Sequence, residues 1–347
     1  MDPTKEAVPE PVLQPPVTVS MAFVRGMLAV PLQRQLAWQD WLATVGIPPA
    51  LLAQPGARVT ADQYIALYRL LRERMQDEGL GLFSRPMRQG CYALVVRSLL
   101  DAPTLGHAVR RLATGYDLLL DDARFDCVPD GSRLALRLFL PPQAVAERAY
   151  VHEFMLRVFL HTLVWLSGGT LRAQRIDFAC EAPPHAGEYA TVFPGELRFA
   201  QAASALWFAQ ADLAAPVRRD AAALRDYLAK APGHVVLPRR TDRTMTARVR
   251  DHLQRERPHW PDLPAVADAL HLSVSALQRR LAAEGGSFQE VRNALRCDLA
   301  VLRLNTSAVP LAELAHELGF SDNASFQRAF KAWTGTAPGT YRSRGLA

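Results

Sequence analysis

The chain has 347 residues, 40 Lys and Arg against 34 Asp and Glu (net charge +6), 49% hydrophobic residues and 21% charged ones. That length accommodates two ordinary domains, and that balance belongs to a folded globular protein. No apolar run is long enough to span a bilayer: the nearest, Phe154 to Leu166, is interrupted by Arg157 and His161 and reads as a buried helix.

Residues 1–20 carry Pro3, Pro9, Pro11, Pro15 and Pro16 and lack the basic start and apolar core of a signal peptide. They read as a disordered tail. From 21 to 120 the periods are mainly helical. Tyr64, Leu67, Leu70 and Leu71 share one face, and Pro103-Thr104 opens a second run with Leu105, Ala108, Val109 and Leu112. The period changes over 124–140. Pro129-Asp130-Gly131 signals a turn, and Leu134, Leu136 and Leu138 alternate with Ala135, Arg137 and Phe139, so a hairpin is expected. Residues 144–166 return to helix. Ile176, Phe178 and Cys180, then Leu197, Phe199 and 206–208, suggest strands, and 217–228 a further helix. Pro232, Gly233, Pro238 and the arginines at 239, 240 and 243 mark a linker over 231–243. The organisation expected is a multidomain chain: a tail (1–20), an α+β domain (21–230), the linker, and an all-α domain (244–347).

Charge and cysteine placement narrow the function. From Arg239 onward there are 16 basic residues against 11 acidic ones, while the preceding part has 24 against 23. The basic excess sits where a polyanion would bind. Cys91, Cys127, Cys180 and Cys297 form no CxxC pair, which argues against a zinc site and a disulfide framework. Free thiols fit a reducing cytoplasm.

Two helix-turn-helix signals lie in the C-terminal part. In the first, Val266, Ala267 and Leu270 form an apolar face. His271-Leu272-Ser273 makes a turn with Ser273 as N-cap, and Leu277 and Leu281 point inward. In the second, Leu314, Ala315 and Leu318 precede the turn Gly319-Phe320-Ser321, and Phe326, Phe330 and Trp333 follow as a buried stripe. Between them Phe288, Val291, Leu295, Leu299 and Leu302 step by three and four along one face of a helix over about 287–305. Such a helix spans roughly 28 Å. Successive major grooves lie about 34 Å apart, so it could hold two recognition helices near groove spacing.

Ser275, Gln278 and Arg279 project from the first recognition helix, and Asn323, Ser325, Gln327 and Arg328 from the second. Arg pairs bidentately with guanine and Asn or Gln with adenine, so these are the residue types of direct readout. Arg292, Arg296 and Arg303 lie off the apolar face of the intervening helix and, with Lys331, are expected on phosphates. The plain alternative for Arg279 and Arg328 is a solvated helix face, and for one of Arg292, Arg296 and Arg303 an ion pair with Asp298 or Glu290.

The stretch from Leu263 to Arg342 resembles the DNA-binding domain of the AraC/XylS family of bacterial regulators. Ala315, Leu318-Gly319-Phe320-Ser321, Phe326, Arg328-Ala329-Phe330-Lys331, Gly335, Pro338 and Tyr341-Arg342 carry the match. His271 departs from the Gly common in the first turn. The resemblance implies seven helices with two helix-turn-helix units, and base-reading roles for the residues named above. Gly79-Leu-Gly-Leu, Ser98 to Arg111, Tyr116 and Val192-Phe193-Pro194 resemble the arabinose-binding-type sensor domain of that family, over roughly 30–216. That implies effector sensing and a homodimer, without implying arabinose.

The function expected is a sequence-specific transcription regulator: effector-responsive, an activator, acting on double-stranded DNA with RNA polymerase. No cofactor, metal, catalysis or membrane is expected. The alternative is an N-terminal domain that serves only as a dimerisation or interaction scaffold. An enzyme tethered to DNA finds no supporting motif. His152-Glu153 and His316-Glu317 lack the second His of a zinc protease, GxSxG and GxxxxGK[ST] are absent, and four isolated cysteines do not supply a four-cysteine alkyl-acceptor cluster. Trp38, Trp41, Tyr64, Tyr68, Tyr116, Trp165, Trp207 and Phe208 could line an effector pocket, with core packing as the plain reading of each.

Overall fold

The computed structural model of the chain describes residues 18–54, 56–140, 148–230 and 244–342. In chain order it opens with β1 (Thr18–Ser20), α1 (Met21–Met27), α2 (Ala29–Gln33), α3 (Trp38–Thr44), β2 (Arg58–Thr60) and α4 (Ala61–Met75). Next come α5 (Cys91–Leu99), α6 (Leu105–Leu119), β3 (Arg124–Asp130), β4 (Arg133–Phe139), α7 (Arg148–Leu166) and β5 (Arg175–Asp177). These are followed by α8 (Tyr189–Val192), β6 (Glu196–Arg198), β7 (Ser204–Ala209), α9 (Gln210–Leu213) and α10 (Ala221–Lys230). The last part holds α11 (Met245–Arg255), α12 (Leu263–Ala269), α13 (Val274–Ala283), α14 (Phe288–Thr306), α15 (Leu311–Glu317) and α16 (Asn323–Thr334). A closing 3-10 turn, Pro338–Tyr341, ends it.

Contacts divide the chain into two compact units. The first takes the described residues of 25–38 and 65–239. The second takes those of 14–24, 39–64 and 240–347.

The first unit is α+β. Its sheet runs β3-β4-β7-β5-β6, antiparallel except for the parallel β5–β6 pair. The predicted hairpin is β3–β4, turned at Gly131 with φ +55°. Leu134, Leu136 and Leu138 are buried, and Arg137 lies opposite Asp126 with two bonds of 2.7 Å. Thr104 caps α6, whose Leu105, Ala108, Val109 and Leu112 are buried as their spacing predicts. α6 packs on β3, and α7 on β7. Both faces of α7 are covered, so polar groups on it find internal partners. His152 Nδ1 meets Ser204 Oγ at 2.9 Å. Glu153 Oε1 lies 2.8 Å from His185 Nε2 and accepts from Tyr189 Oη. Of the aromatic residues weighed as pocket lining, Tyr116, Trp165 and Phe208 are core residues of this unit, with Trp165 stacked on Tyr227 at 4.3 Å.

The second unit is helical apart from one two-stranded ribbon, and two expectations change there. Residues 18–20 do not belong to a disordered tail. Thr18 and Ser20 are each 5% exposed, and β1 pairs antiparallel with β2 in the register Thr18–Thr60, Val19–Val59 and Ser20–Arg58. Residues 1–17 of that tail, and the linker over 231–243, lie outside the described residues. Secondly, the stretches 18–24 and 39–64, which the sequence-based division separates from the C-terminal helices, share one compact unit with them. α14 is therefore covered on more than the one face its periodicity suggested. α11, the ribbon, α16 and the closing turn all pack on it, and Arg296, Asp298, Val301 and Leu304 are buried beside Leu295 and Leu299.

Candidate nucleic-acid interface

Two helix pairs, α12–α13 and α15–α16, are built on one plan. At the end of α12 the Leu272 N–H donates to Ala267 O (2.9 Å) and the His271 N–H to Asp268 O (2.9 Å). At the end of α15 the Phe320 N–H donates to Ala315 O (2.9 Å) and the Gly319 N–H to His316 O (2.9 Å). These are Schellman closures, each requiring a left-handed residue. His271 supplies it at φ +56° and Gly319 at φ +73°.

The recognition helices then start from side-chain caps. Ser273 accepts from the Ala276 N–H at 3.2 Å, and Asp322 from the Ser325 N–H at 2.7 Å. Each cap satisfies an N–H that has no partner within its helix. Hydrogen bonds from Ser325 and Ser321 hold the Asp322 carboxyl below the ordinary Asp range. Leu277 and Leu281 in one helix, and Phe326 and Phe330 in the other, are buried as their spacing predicts.

The opposite faces carry the predicted base-reading residues. Ser275, Gln278 and Arg279 are exposed on α13, and Gln327 and Arg328 on α16. Asn323 and Ser325 are half-buried. The Ser325 hydroxyl donates to Asp322 at 2.8 Å and accepts from Arg328 Nη2 at 3.0 Å, so this serine orients the arginine. Asn323 Oδ1 is buried without a hydrogen-bond partner. Arg280 and Val274 are further exposed residues of α13 that the spacing does not single out. Arg280 follows Arg279, and Val274 stands 36% exposed at the first helical position. Val274 falls between two serines, and an apolar residue at a helix start gives no periodic signal.

The four predicted phosphate ligands do not fare alike. Lys331 is exposed on α16. Arg292 is half-buried beside an open groove of about 650 Å³ that it shares with Gln278 and Phe288, and its Nη2 donates to Gln289 at 2.6 Å.

Arg296 is not at the surface. It is 8% exposed, its guanidinium lies 4.8 Å from the Trp260 ring centre and 4.9 Å from that of Phe320, and Nη2 donates to Gly319 O at 3.2 Å. Burial, with the Arg292 charge second, pulls its pKa down to about 10. Trp260 is itself fixed by an indole N–H to Glu317 O at 3.0 Å. Arg303 is committed to Glu317 in a two-pronged ion pair (2.9 and 2.7 Å) that joins α14 to α15. Both arginines lie off the apolar stripe, as expected, but other parts of the unit cover that side of α14. Trp260 sits outside any helix and could not be found by periodicity.

Two family models match the chain. A model of the arabinose-binding domain of AraC transcription regulators matches residues 36–217, and a helix-turn-helix domain model matches residues 266–344. The chain belongs to the AraC family of transcription regulators. This AraC-family chain is 26% identical to the ornithine utilization regulator of Pseudomonas aeruginosa, over 93% of this chain and 96% of that protein. It is 28% identical to an uncharacterized HTH-type transcriptional regulator of Mycobacterium tuberculosis, over 96% of this chain and 99% of that one. The solved structure of the transcriptional regulator CdpR from Pseudomonas aeruginosa matches 94% of this chain and 99% of its own at 21% identity, with a TM-score of 0.32. Like these relatives, the protein is a DNA-binding transcription regulator. Among the described residues no helix is long and apolar enough to cross a membrane.

Proposed function

We propose that this regulator reads two adjacent major-groove segments, one with each recognition helix, and that a small effector bound by the α+β unit alters that binding. Ser275, Gln278 and Arg279 read one segment. Asn323, Ser325, Gln327 and Arg328 read the other. Lys331 and Arg292 lie on phosphates, while Arg296 and Arg303 hold the unit together. The observation that carries this reading is the duplicated turn. Two helices with the same Schellman entry and the same kind of cap present Arg and Gln side chains outward. A homodimer bound to paired sites, acting as a cytoplasmic activator through RNA polymerase, completes the proposal.

The effector acts only through its differential affinity for the DNA-competent and DNA-incompetent arrangements. Ornithine is a rational first probe, given the name of the Pseudomonas relative. The full chain would be used to select fragments of its own genome near physiological salt, with and without ornithine. Fragments sharing two boxes about one helical turn apart are expected. Fragments with no common sequence under either condition would refute direct readout. Common boxes whose recovery responds to no small molecule would favour a scaffold role for the α+β unit.

A further inference from the structure

The helix-turn-helix pairs leave the ribbon of the second unit unexplained. Its anchor is the Asp298 carboxylate, 8% exposed at the middle of α14. One oxygen accepts from Thr18 Oγ1 of β1, and the other pairs with Arg250 of α11. From β2, Arg58 Nε donates to Thr18 Oγ1 at 2.7 Å and Nη2 to Thr18 O at 3.2 Å, while Nε stands 3.9 Å from Asp298. A buried carboxylate is costly unless it is paired and hydrogen-bonded, so this cluster holds its members in one arrangement.

The ribbon also reaches both ends of the reading apparatus. The Arg58 N–H donates to Tyr341 Oη at 2.9 Å, and the buried Tyr341 ring stands edge-on to Phe330 of the second recognition helix at 5.1 Å. Gly56 lies close against that helix: a Cβ there would stand 3.0 Å from the Thr334 backbone at its end. On the other side, α11 is bound to the first pair by Glu284, which accepts from the Met245 and Thr246 N–H groups at 2.6 and 2.8 Å. Gln63 Nε2 meets Asn305 near the end of α14 at 2.9 Å.

We propose that the β1–β2 ribbon is a clamp that sets the spacing between the two recognition helices, with Thr18 and Arg58 as positioning residues that act through Asp298 and Tyr341. α14 is a rod of roughly 28 Å. Small rotations of α11 or α16 about it move the reading side chains by ångströms, and the ribbon is bonded to the groups that fix both. Directional bonds to hydroxyl, carboxylate and phenol fix orientation as well as contact. The inference rests on the two-segment reading proposed above.

The test uses the full chain as wild type, Thr18→Val, Thr18→Ser and Asp298→Asn. Each is titrated with the site selected by wild type, with a version keeping one box, and with versions in which the boxes are moved apart or together by a base pair. Thr18→Val is expected to lose about five- to tenfold affinity for the two-box site, the scale of one ordinary intramolecular hydrogen bond. On the single box it should lose less than twofold, and its discrimination against altered spacing should shrink. Thr18→Ser keeps the hydroxyl and restores wild-type behaviour, while Asp298→Asn follows Thr18→Val. If Asp298→Asn fails to fold, Thr18→Val decides alone. Equal losses on both DNAs would reduce the ribbon to a stabilising element, and no loss on either would remove it from DNA binding. Wild-type protein that gains nothing from a second box would overturn the two-segment reading itself, a separate failure seen before any variant is compared.

Discussion

The two helix-turn-helix pairs reach one backbone geometry by different routes. At His271 an exposed side chain occupies the left-handed region, and the turn closes through its own hydrogen bonds. At Gly319 the same conformation is walled in: a Cβ would stand 2.5 Å from Trp260 Cδ1 and 2.9 Å from Arg296 Nη2. The first turn needs a residue that tolerates positive φ. The second needs glycine for two independent reasons, one torsional and one steric. A turn that anchors a buried arginine therefore has far less latitude than one that faces water.

The largest effect follows from filling the second turn. Gly319→Ala adds left-handed strain and a collision with Trp260, for an expected loss of about 2–4 kcal/mol. Urea unfolding of the full chain, followed by Trp fluorescence and amide exchange in α15 and α16, would measure it. A loss under about 0.5 kcal/mol, the range of ordinary surface substitutions, would mean that the Trp260–Arg296 wall is not rigid.

Arg296→Ala sharpens the difference between packing and phosphate contact. Removing a desolvated guanidinium from between two rings should cost about 2–3 kcal/mol of stability and leave the salt dependence of DNA binding unchanged. Lys331→Ala should do the opposite, lowering the salt slope by about one with little loss of stability. Titrations at several salt concentrations decide: a reduced slope for Arg296→Ala would return that residue to the DNA face.

The smallest effect belongs to the first turn. His271→Gly relieves left-handed strain but loosens the unfolded chain, so a net gain of about 0.5 kcal/mol is expected. A loss of stability would show that the imidazole makes a contact that matters.

Much of the second unit is legible in the sequence because its signals are local. Both turns, the Ser273 cap, the stripe of Phe326 and Phe330 and the long helix all follow from spacings within four residues. The linker-helix arginines rest on the same local logic, which does not reveal the internal partners of Arg296 and Arg303, because a helical wheel cannot say how many sides of a helix are covered. Burial of Arg296 depends on Trp260 and Phe320, and that of Asp298 on Thr18, partners that no period connects. The ribbon was invisible for the same reason. Three-residue strands carry no alternation to count, and Thr18 follows a proline-rich stretch whose composition argues against structure. In the α+β unit the hairpin and the α6 face were readable, whereas the pairing of β5 with both β6 and β7 is set by distant register.

The central claim is that each recognition helix reads its own segment of DNA. The direct measurement is parallel selection of binding sites with wild type, Arg279→Ala and Arg328→Ala. Each substitution should cost about 1–3 kcal/mol of specific binding and relax preference at positions in one box only, a different box for each variant. Relaxation of the same positions by both, or unchanged preference in either, would contradict the account.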